Sequence, residues 1–351
     1  MQVITRECYA ISIISVVGIT GVIAPLVKVL YDPSKRYVAY KRRTLLHSRN
    51  DEELRILACV HSQENVPAIL GLLQVSNPTK DSPINLVVLH LNKLMGRASS
   101  VLVAHRERDK PLNPTQSERI FNAFKKFEEQ YQGLVLMQCY KAISPYATMH
   151  DDVCLLALEK RTILIIIPFH EQWILGQRVE TSYAYRHLNK NVLEKAPCSV
   201  GILINRGNQK KSRYVATQPS LFHVAVLFLG GADDREALAY ACRMADKPNV
   251  MLTVVRFRGS NSTGIVGGTE RSKMLDAEIL GGIKRKMQIK RQILSQEYVA
   301  TSGEDVLSIT RRVGSSYDLV MVGRRHGNSP IMSELRKWNQ RGELGAIGEI
   351  F

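Results

Sequence analysis

Paired cysteines are missing from this 351-residue sequence, and their absence limits the chemistry that it can perform. Six cysteines are scattered along the chain, and no two of them have the spacing of a zinc motif. This distribution is typical of a protein in a reducing compartment, where disulfides are rare. The sequence also lacks a nucleophile with a base at a known motif spacing. We therefore expect no metal site and no enzymatic activity.

Acidic residues are scarce relative to basic ones, since 48 Lys and Arg against 32 Asp and Glu give a net charge of +16. A nucleic-acid-binding protein usually interleaves basic residues with exposed aromatic residues or carries a recognisable module. Here the basic residues form separate clusters, which we interpret as solvated helix faces, a linker and a membrane-proximal segment. We therefore do not expect nucleic acid as a partner.

Long apolar runs are missing as well, with one exception near the N-terminus. Residues 8–27 carry no charge, and twenty helical residues cover the roughly 30 Å hydrocarbon core of a bilayer. A secretory signal peptide fits less well, because the run is longer than a usual apolar region of about 7–15 residues and no small-x-small cleavage site follows. We predict a transmembrane helix within residues 1–30.

A basic segment, residues 31–50, follows the predicted span. The excess of positive charge on this side places the rest of the chain in the cytosol, attached to an endomembrane or the plasma membrane. Its side chains would lie among anionic lipid headgroups, where each charge contributes about 1 kcal/mol. The residues predicted to face lipid are Lys35, Arg36, Lys41, Arg42 and Arg43.

Beyond residue 50, short apolar runs alternate with helical patterns. Fully apolar runs such as residues 84–91 are typical of a parallel sheet covered on both faces. The alternation predicts an α/β fold with two doubly wound parallel-sheet domains. We place the first domain at residues 51–205, a linker at 206–219 and the second domain at 220–351.

The second domain repeats the pattern of the first but stops one strand early. We predict a basic helix over residues 274–294, a strand at 298–301 and a fourth strand at 319–322. After the fourth strand, one short helix and a glycine-rich tail remain. The sequence therefore predicts a second sheet that lacks its last strand and has an unpaired edge.

One loop has the composition of an anion site. Gly323, Arg324, Arg325, His326 and Gly327 follow the fourth strand of the second domain, at the end of the sheet where such folds bind ligands. Two guanidinium groups and a titratable imidazole suit a phosphate or nucleotide. The spacing is that of neither a P-loop nor a dinucleotide fingerprint. We name these residues as a candidate anion or nucleotide loop, with no cofactor as the main expectation and ATP as the alternative.

Several ordered blocks of the sequence resemble the plant cation/H+ exchanger family, within the monovalent cation:proton antiporter-2 class. The blocks lie at residues 31–37, 142–150, 166–170, 196–203, 230–238 and 342–345. The resemblance implies that residues 8–27 are similar to the last span of a multi-span antiporter. The remainder then resembles its cytosolic regulatory tail, built from two universal-stress-protein-like domains.

The resemblance also implies partners and limits. A transport core would be the partner of the tail, K+ and H+ would be the substrates of the whole protein, and pairing of two tails stays open. The single predicted span contains no ionisable residue, so we expect this chain alone not to transport ions. The alternative function is a membrane-tethered, nucleotide-binding protein of the universal-stress-protein type.

Overall fold

The computed structural model of the protein describes most of the chain in ten stretches. The described residues are 6–30, 42–48, 52–95, 100–105, 115–174, 177–180, 183–205, 221–259, 267–337 and 343–351. The predicted linker, residues 206–219, lies outside them, as do Lys35, Arg36 and Lys41.

Helix α1, Arg6–Leu30, contains the whole apolar run that the sequence predicts to be helical. Its apolar side chains are exposed, with exposed fractions of 64% at Ile11, 71% at Ile14 and 65% at Val22. Among the residues described, no helix combines the length and the apolar character that crossing a membrane requires. The helix is confirmed, but its prediction as a transmembrane span is not.

Where the structure describes it, the first domain has eight strands and four helices, after a 3-10 turn at Leu45–His47. The strands are β1 (Leu54–Val60), β2 (Ile84–Lys93), β3 (Val101–Ala104), β4 (Val135–Ser144), β5 (Leu164–Pro168), β6 (Glu171–Ile174), β7 (Gln177–Glu180) and β8 (Ser199–Leu203). The helices are α2 (Val66–Val75), α3 (Gln116–Gln130), α4 (Met149–Glu159) and α5 (Tyr183–Lys195).

The first sheet has the order β3-β4-β2-β1-β5-β8. All of its pairs are parallel except β3 with β4, so five strands are parallel as predicted. Strand β3 and the separate antiparallel hairpin of β6 and β7 were not predicted. Each of these three strands has four residues, too few for the periodicity that identifies longer strands.

In the described part of the second domain there are four strands and five helices. The strands are β9 (Phe222–Phe228), β10 (Val250–Arg258), β11 (Ile293–Val299) and β12 (Leu319–Val322). The helices are α6 (Ala232–Met244), α7 (Glu270–Ile289), α8 (Gly303–Ser316), α9 (Pro330–Lys337) and the one-turn α10 (Gly345–Gly348).

The second sheet has the order β11-β10-β9-β12, and all of its pairs are parallel. It repeats the order β4-β2-β1-β5 of the first sheet, and within the described residues no strand takes the place of β8. The predicted boundary between α7 and β11 is wrong, because α7 ends at Ile289 and β11 begins at Ile293. Strand β11 is mostly exposed and has three consecutive polar residues at its centre, which hide it from a search for apolar runs.

Candidate functional site at the junction of the two domains

The candidate loop begins at Gly323, directly after β12. The Gly323 N–H donates to Asp234 Oδ1 at 2.8 Å. A Cβ atom at this position would overlap Asp234 and would lie 2.9 Å from the carbonyl carbon of Asp233. The close approach of the loop to the start of α6 therefore requires glycine here.

The Asp234 carboxylate holds two strand ends together. Its Oδ2 accepts the N–H groups of Leu229 and Gly230 at 2.8 and 2.9 Å, while Oδ1 accepts Gly323. His326 Nε2 lies 3.2 Å from both carboxylate oxygens. The side chain of Asp234 is fully buried, so these donors replace the water that it loses on folding.

Arg325 forms a two-point contact with Asp233. Its Nη2 donates to Asp233 Oδ1 at 2.8 Å and its Nε donates to Oδ2 at 3.0 Å, an arrangement that matches the fork of the guanidinium. Burial opposes ionisation of Asp233, but the hydrogen bonds and charge of Arg325 outweigh it and hold the pKa of Asp233 below its ordinary value. The same contact raises the pKa of Arg325.

Carboxylates of the protein itself therefore accept the hydrogen bonds that a bound anion would otherwise receive. The Gly231 N–H donates to Asp276 Oδ2 at 3.1 Å, and the Arg325 N–H donates to Asp233 at 3.0 Å. Arg324 Nε donates to the Glu343 carbonyl at 2.8 Å, and Gly327 is half-buried in the same loop. The structure brings the five predicted residues together, but anion or nucleotide binding there stays a prediction.

The basic segment contacts protein where the structure describes it. Arg42 Nη2 donates to the Glu194 carbonyl at 2.6 Å, and Arg43 Nη1 donates to the Thr162 carbonyl at 3.4 Å. The Arg43 backbone also forms a bridge with Cys198, the residue directly before β8. This part of the segment is therefore fixed to the first domain, and its contact with lipid stays a prediction.

Glu236, on α6 of the second domain, holds the same segment from the other side. Its Oε2 accepts the Leu45 N–H at 2.8 Å and the Ser199 hydroxyl at 2.9 Å, and its Oε1 accepts the Leu46 N–H at 3.3 Å. One carboxylate thus connects α6, β8 and the 3-10 turn at Leu45–His47. We call residues 42–48 the clamped segment, because both domains bind it.

Helices α2 and α6 form a second contact between the domains. The Ser76 and Tyr240 hydroxyl oxygens lie 2.6 Å apart and are buried. Burial raises the pKa of Tyr240 to about 12. Arg243 Nη2 donates to the Ser82 carbonyl at 2.8 Å, and Lys247 Nζ donates to the Gln74 carbonyl at 2.8 Å.

A third contact joins the first domain to the C-terminal segment. His170 Nδ1 lies 2.9 Å from Glu343 Oε2, and Asn189 Nδ2 donates to Glu343 Oε1 at 3.0 Å. The side chains of His170 and Glu343 are only 1% and 3% exposed. This polar cluster lies outside the candidate loop and was missed from the sequence, because its partners are far apart along the chain.

A cavity of about 780 Å³ lies between the domains. Residues of β8 and β12 line it, together with residues of the clamped segment and α6. Within the described residues, no three His, Cys, Asp or Glu side chains could hold a metal ion together.

These features define a protein of two parallel-sheet α/β domains joined by buried polar contacts. Residues 86–208 match the family described as "Plant cation/H(+) antiporter domain". Residues 221–351 match the family described as "Plant cation/H(+) antiporter, C-terminal domain". The chain belongs to the plant cation/H+ antiporter family, as the resemblance of its sequence blocks predicts.

Curated relatives match nearly the whole chain. Cation/H(+) antiporter 15 of Arabidopsis thaliana is 43% identical, over 99% of this chain and 45% of the relative. Cation/H(+) antiporter 14 of the same organism is 40% identical over 100% of this chain and 43% of the relative, and Cation/H(+) symporter 13 is 38% identical over 99% and 42%. The chain therefore spans less than half of the length of these relatives.

Among solved structures, the chain is similar to a universal stress protein from Archaeoglobus fulgidus DSM 4304. The two are 12% identical, and the alignment covers 79% of this chain and 90% of that one with a TM-score of 0.42.

Proposed function

We propose that this chain is the cytosolic regulatory tail of a monovalent cation/H+ antiporter, with K+ and H+ as the transported ions of the whole protein. The matches to cation/H+ antiporters over nearly the whole chain support this proposal. In this account the chain takes part in cation and pH homeostasis without transporting ions by itself.

The contacts of the clamped segment with both domains are the observation that supports the regulatory role. Hydrogen bonds from Arg43 and Leu45 fix it to the first and the second domain, respectively. Because the segment precedes the first sheet and follows α1 in the chain, a change in how the domains pack would move the residues that lead back to α1.

Helix α1 is the proposed connection to the membrane. Its exposed apolar side chains, among them Ile14 and Val17, need an apolar environment such as lipid or the helices of a transport core. In this account the protein is bound to a membrane, the two α/β domains lie in the cytosol, and the basic segment lies near anionic headgroups.

A chimera tests the regulatory role. In Cation/H(+) antiporter 15 of Arabidopsis thaliana, the region aligned with this chain would be replaced by the chain, and K+/H+ exchange would be measured in membrane vesicles. The matched control is the same relative without that region. We expect the chimera to exchange ions at a rate and with a pH dependence that differ from those of the shortened control. Identical exchange by the two, at equal amounts in the membrane, would contradict the proposal.

A further inference from the structure

The exposed side of α7 differs between its two halves. In the first half the charges are mixed, since Lys273 Nζ donates to Glu270 Oε1 at 2.7 Å and Glu278 is exposed nearby. At the end of the helix, residues 284–291 include five basic residues and no acidic residue. We call this surface the basic patch. Its members are Lys284, Arg285, Lys286, Ile289, Lys290 and Arg291.

Most of the positive charge of the basic patch has no acidic partner. Lys290 Nζ donates to Asp246 Oδ1 at 2.5 Å, which neutralises one of the five charges. The side chains of Lys284, Arg285 and Arg291 are exposed, and none of the three forms a salt bridge with any residue that the structure describes. The patch therefore presents positive charge that the protein does not compensate.

An aliphatic side chain lies among these charges. Ile289 is 82% exposed, more than any other large apolar side chain in the described part of the chain. Arg285 precedes it by one helical turn and lies on the same side of α7. A single exposed aliphatic residue is ordinary on a protein surface. Its position among uncompensated cations favours a partner that offers both anions and an apolar layer.

The second domain holds the basic patch in place. Ile283, one turn before the end of the patch helix, is buried in the core. The Lys290 N–H donates to the Lys286 carbonyl at 2.7 Å and so continues the helical hydrogen bonding past Ile289. Directly after the patch, Gln292 Nε2 donates to the Pro248 carbonyl at 2.7 Å. A surface that is already ordered loses little conformational entropy when it binds a partner.

An anionic bilayer offers both kinds of group. Its headgroups attract Lys and Arg, and the acyl chains beneath them accept an aliphatic side chain. Nucleic acid fits less well, because residues 284–291 contain no aromatic side chain on which a base could stack. We propose that the basic patch docks the second domain onto a membrane surface that contains anionic phospholipids. Lys284, Arg285 and Arg291 then lie at the headgroups, and Ile289 inserts between them. This contact is separate from the one proposed for α1 and does not depend on transport.

Fluorescence quenching in the full chain tests this contact. The Ile289→Trp chain would be reconstituted into vesicles of phosphatidylcholine alone, or of about 70% phosphatidylcholine and about 30% phosphatidylserine, with brominated acyl chains that quench tryptophan on contact. The unsubstituted chain gives the background from Trp173 and Trp338. We expect the vesicles with phosphatidylserine to quench the added fluorescence at least about twofold more strongly. Salt at about 1 M should abolish the difference, because it shortens the screening length to about 3 Å.

The matched control for position is Val299→Trp. Val299 is 65% exposed and ends β11, the strand that begins at Ile293 beside the patch. Six residues of strand place it about 20 Å from that beginning. Its fluorescence should therefore be quenched equally in the two kinds of vesicle. A difference between the two kinds at Val299 as large as that at Ile289→Trp would overturn the proposed docking by the patch.

Charge reversal identifies the groups responsible. In the Ile289→Trp chain, the patch variant carries Lys284→Glu, Arg285→Glu and Arg291→Glu, and it should lose the dependence on phosphatidylserine. A control with the same net charge and with exposed positions outside the patch carries Lys126→Glu, Arg311→Glu and Lys337→Glu, and it should keep that dependence. If the patch variant does not fold, the response to salt still decides the matter.

Three results would overturn the proposal. The first is equal quenching in the two kinds of vesicle. The second is a dependence on phosphatidylserine that the patch variant keeps or that both variants lose. The third is an RNA complex or a dimer of this chain that requires the patch while Ile289→Trp is not quenched by either kind of vesicle.

Discussion

Glu343 Oε2 lies 2.9 Å from His170 Nδ1, and this buried pair joins the C-terminal segment to the first domain. The other oxygen of Glu343 accepts the Asn189 amide at 3.0 Å. Together with the half-buried Glu236 on α6, the buried Glu343 makes the packing of the two domains depend on carboxylates of the protein. Buried polar contacts of this kind fix one arrangement only when every partner is present.

Glu343→Ala should lower the free energy of unfolding by about 1–3 kcal/mol, because Asn189 and His170 would lose a partner in a buried position. Chemical denaturation followed by circular dichroism measures this change. The control is Glu159→Ala, whose side chain is 67% exposed and which should change stability by less than about 0.5 kcal/mol. Equal effects of the two substitutions would show that the Glu343 cluster does not stabilise the fold.

Gly323→Ala should destabilise the second domain by about 1–3 kcal/mol or more, because the added Cβ would overlap Asp234. The matched control is Gly281→Ala on α7, where nothing lies within 4 Å of the added atom. That substitution should stabilise the helix by about 0.5–1 kcal/mol. Thermal unfolding measures both, and a stabilising Gly323→Ala would contradict the described loop.

ATP should not bind the loop at residues 323–327 with saturable heat in isothermal titration calorimetry. The reason is that the N–H groups of Gly231, Gly323 and Arg325 already donate to Asp276, Asp234 and Asp233, and these carboxylates repel phosphate. Saturable ATP binding that disappears in the Arg324→Ala, Arg325→Ala variant would favour the nucleotide-binding alternative instead.

Acid should destabilise the first domain through His90. Burial, helped by the charge of Lys141, lowers the pKa of His90 to about 4 from its ordinary value of 6.5. Between these values the unfolded chain binds the proton more readily, so stability falls as the pH drops from 6.5 to about 4, by at most about 1.4 kcal/mol per pH unit. His90→Gln should reduce this loss in pH-dependent denaturation, whereas the exposed His223→Gln should not. An unchanged pH profile in His90→Gln would contradict the prediction.

Most of the parallel strands could be predicted because short apolar runs mark them individually. Strand β1, predicted at residues 55–60, begins at Leu54 and ends at Val60. Strands β9, β10 and β12 of the second sheet were also predicted from their apolar residues, although β12 has only four residues. The position of β11 could not be predicted in this way, because its exposed polar residues continue the apparent helical pattern of α7.

The candidate site could be predicted only in part. The composition of the 323–327 loop predicts an anion site at this end of the sheet, but composition does not reveal which groups are already hydrogen-bonded. Asp233 and Asp234 lie in the first turn of α6, and their hydrogen bonds to Gly323 and Arg325 span about ninety residues of sequence. The contacts of Glu236 and Glu343 are of the same long-range kind, and a local pattern does not encode them.

Transport by the chimera with Glu236→Ala is the most direct test of the account. This substitution removes the acceptor for Leu45, Leu46 and Ser199 and so releases the clamped segment from the second domain. The control is Glu278→Ala at an exposed position of α7. We predict that Glu236→Ala changes the rate and pH dependence of K+/H+ exchange at an unchanged amount of folded protein, while Glu278→Ala does not. Exchange by Glu236→Ala that matches the unsubstituted chimera at every pH would contradict the claim that the junction couples the two domains to the membrane.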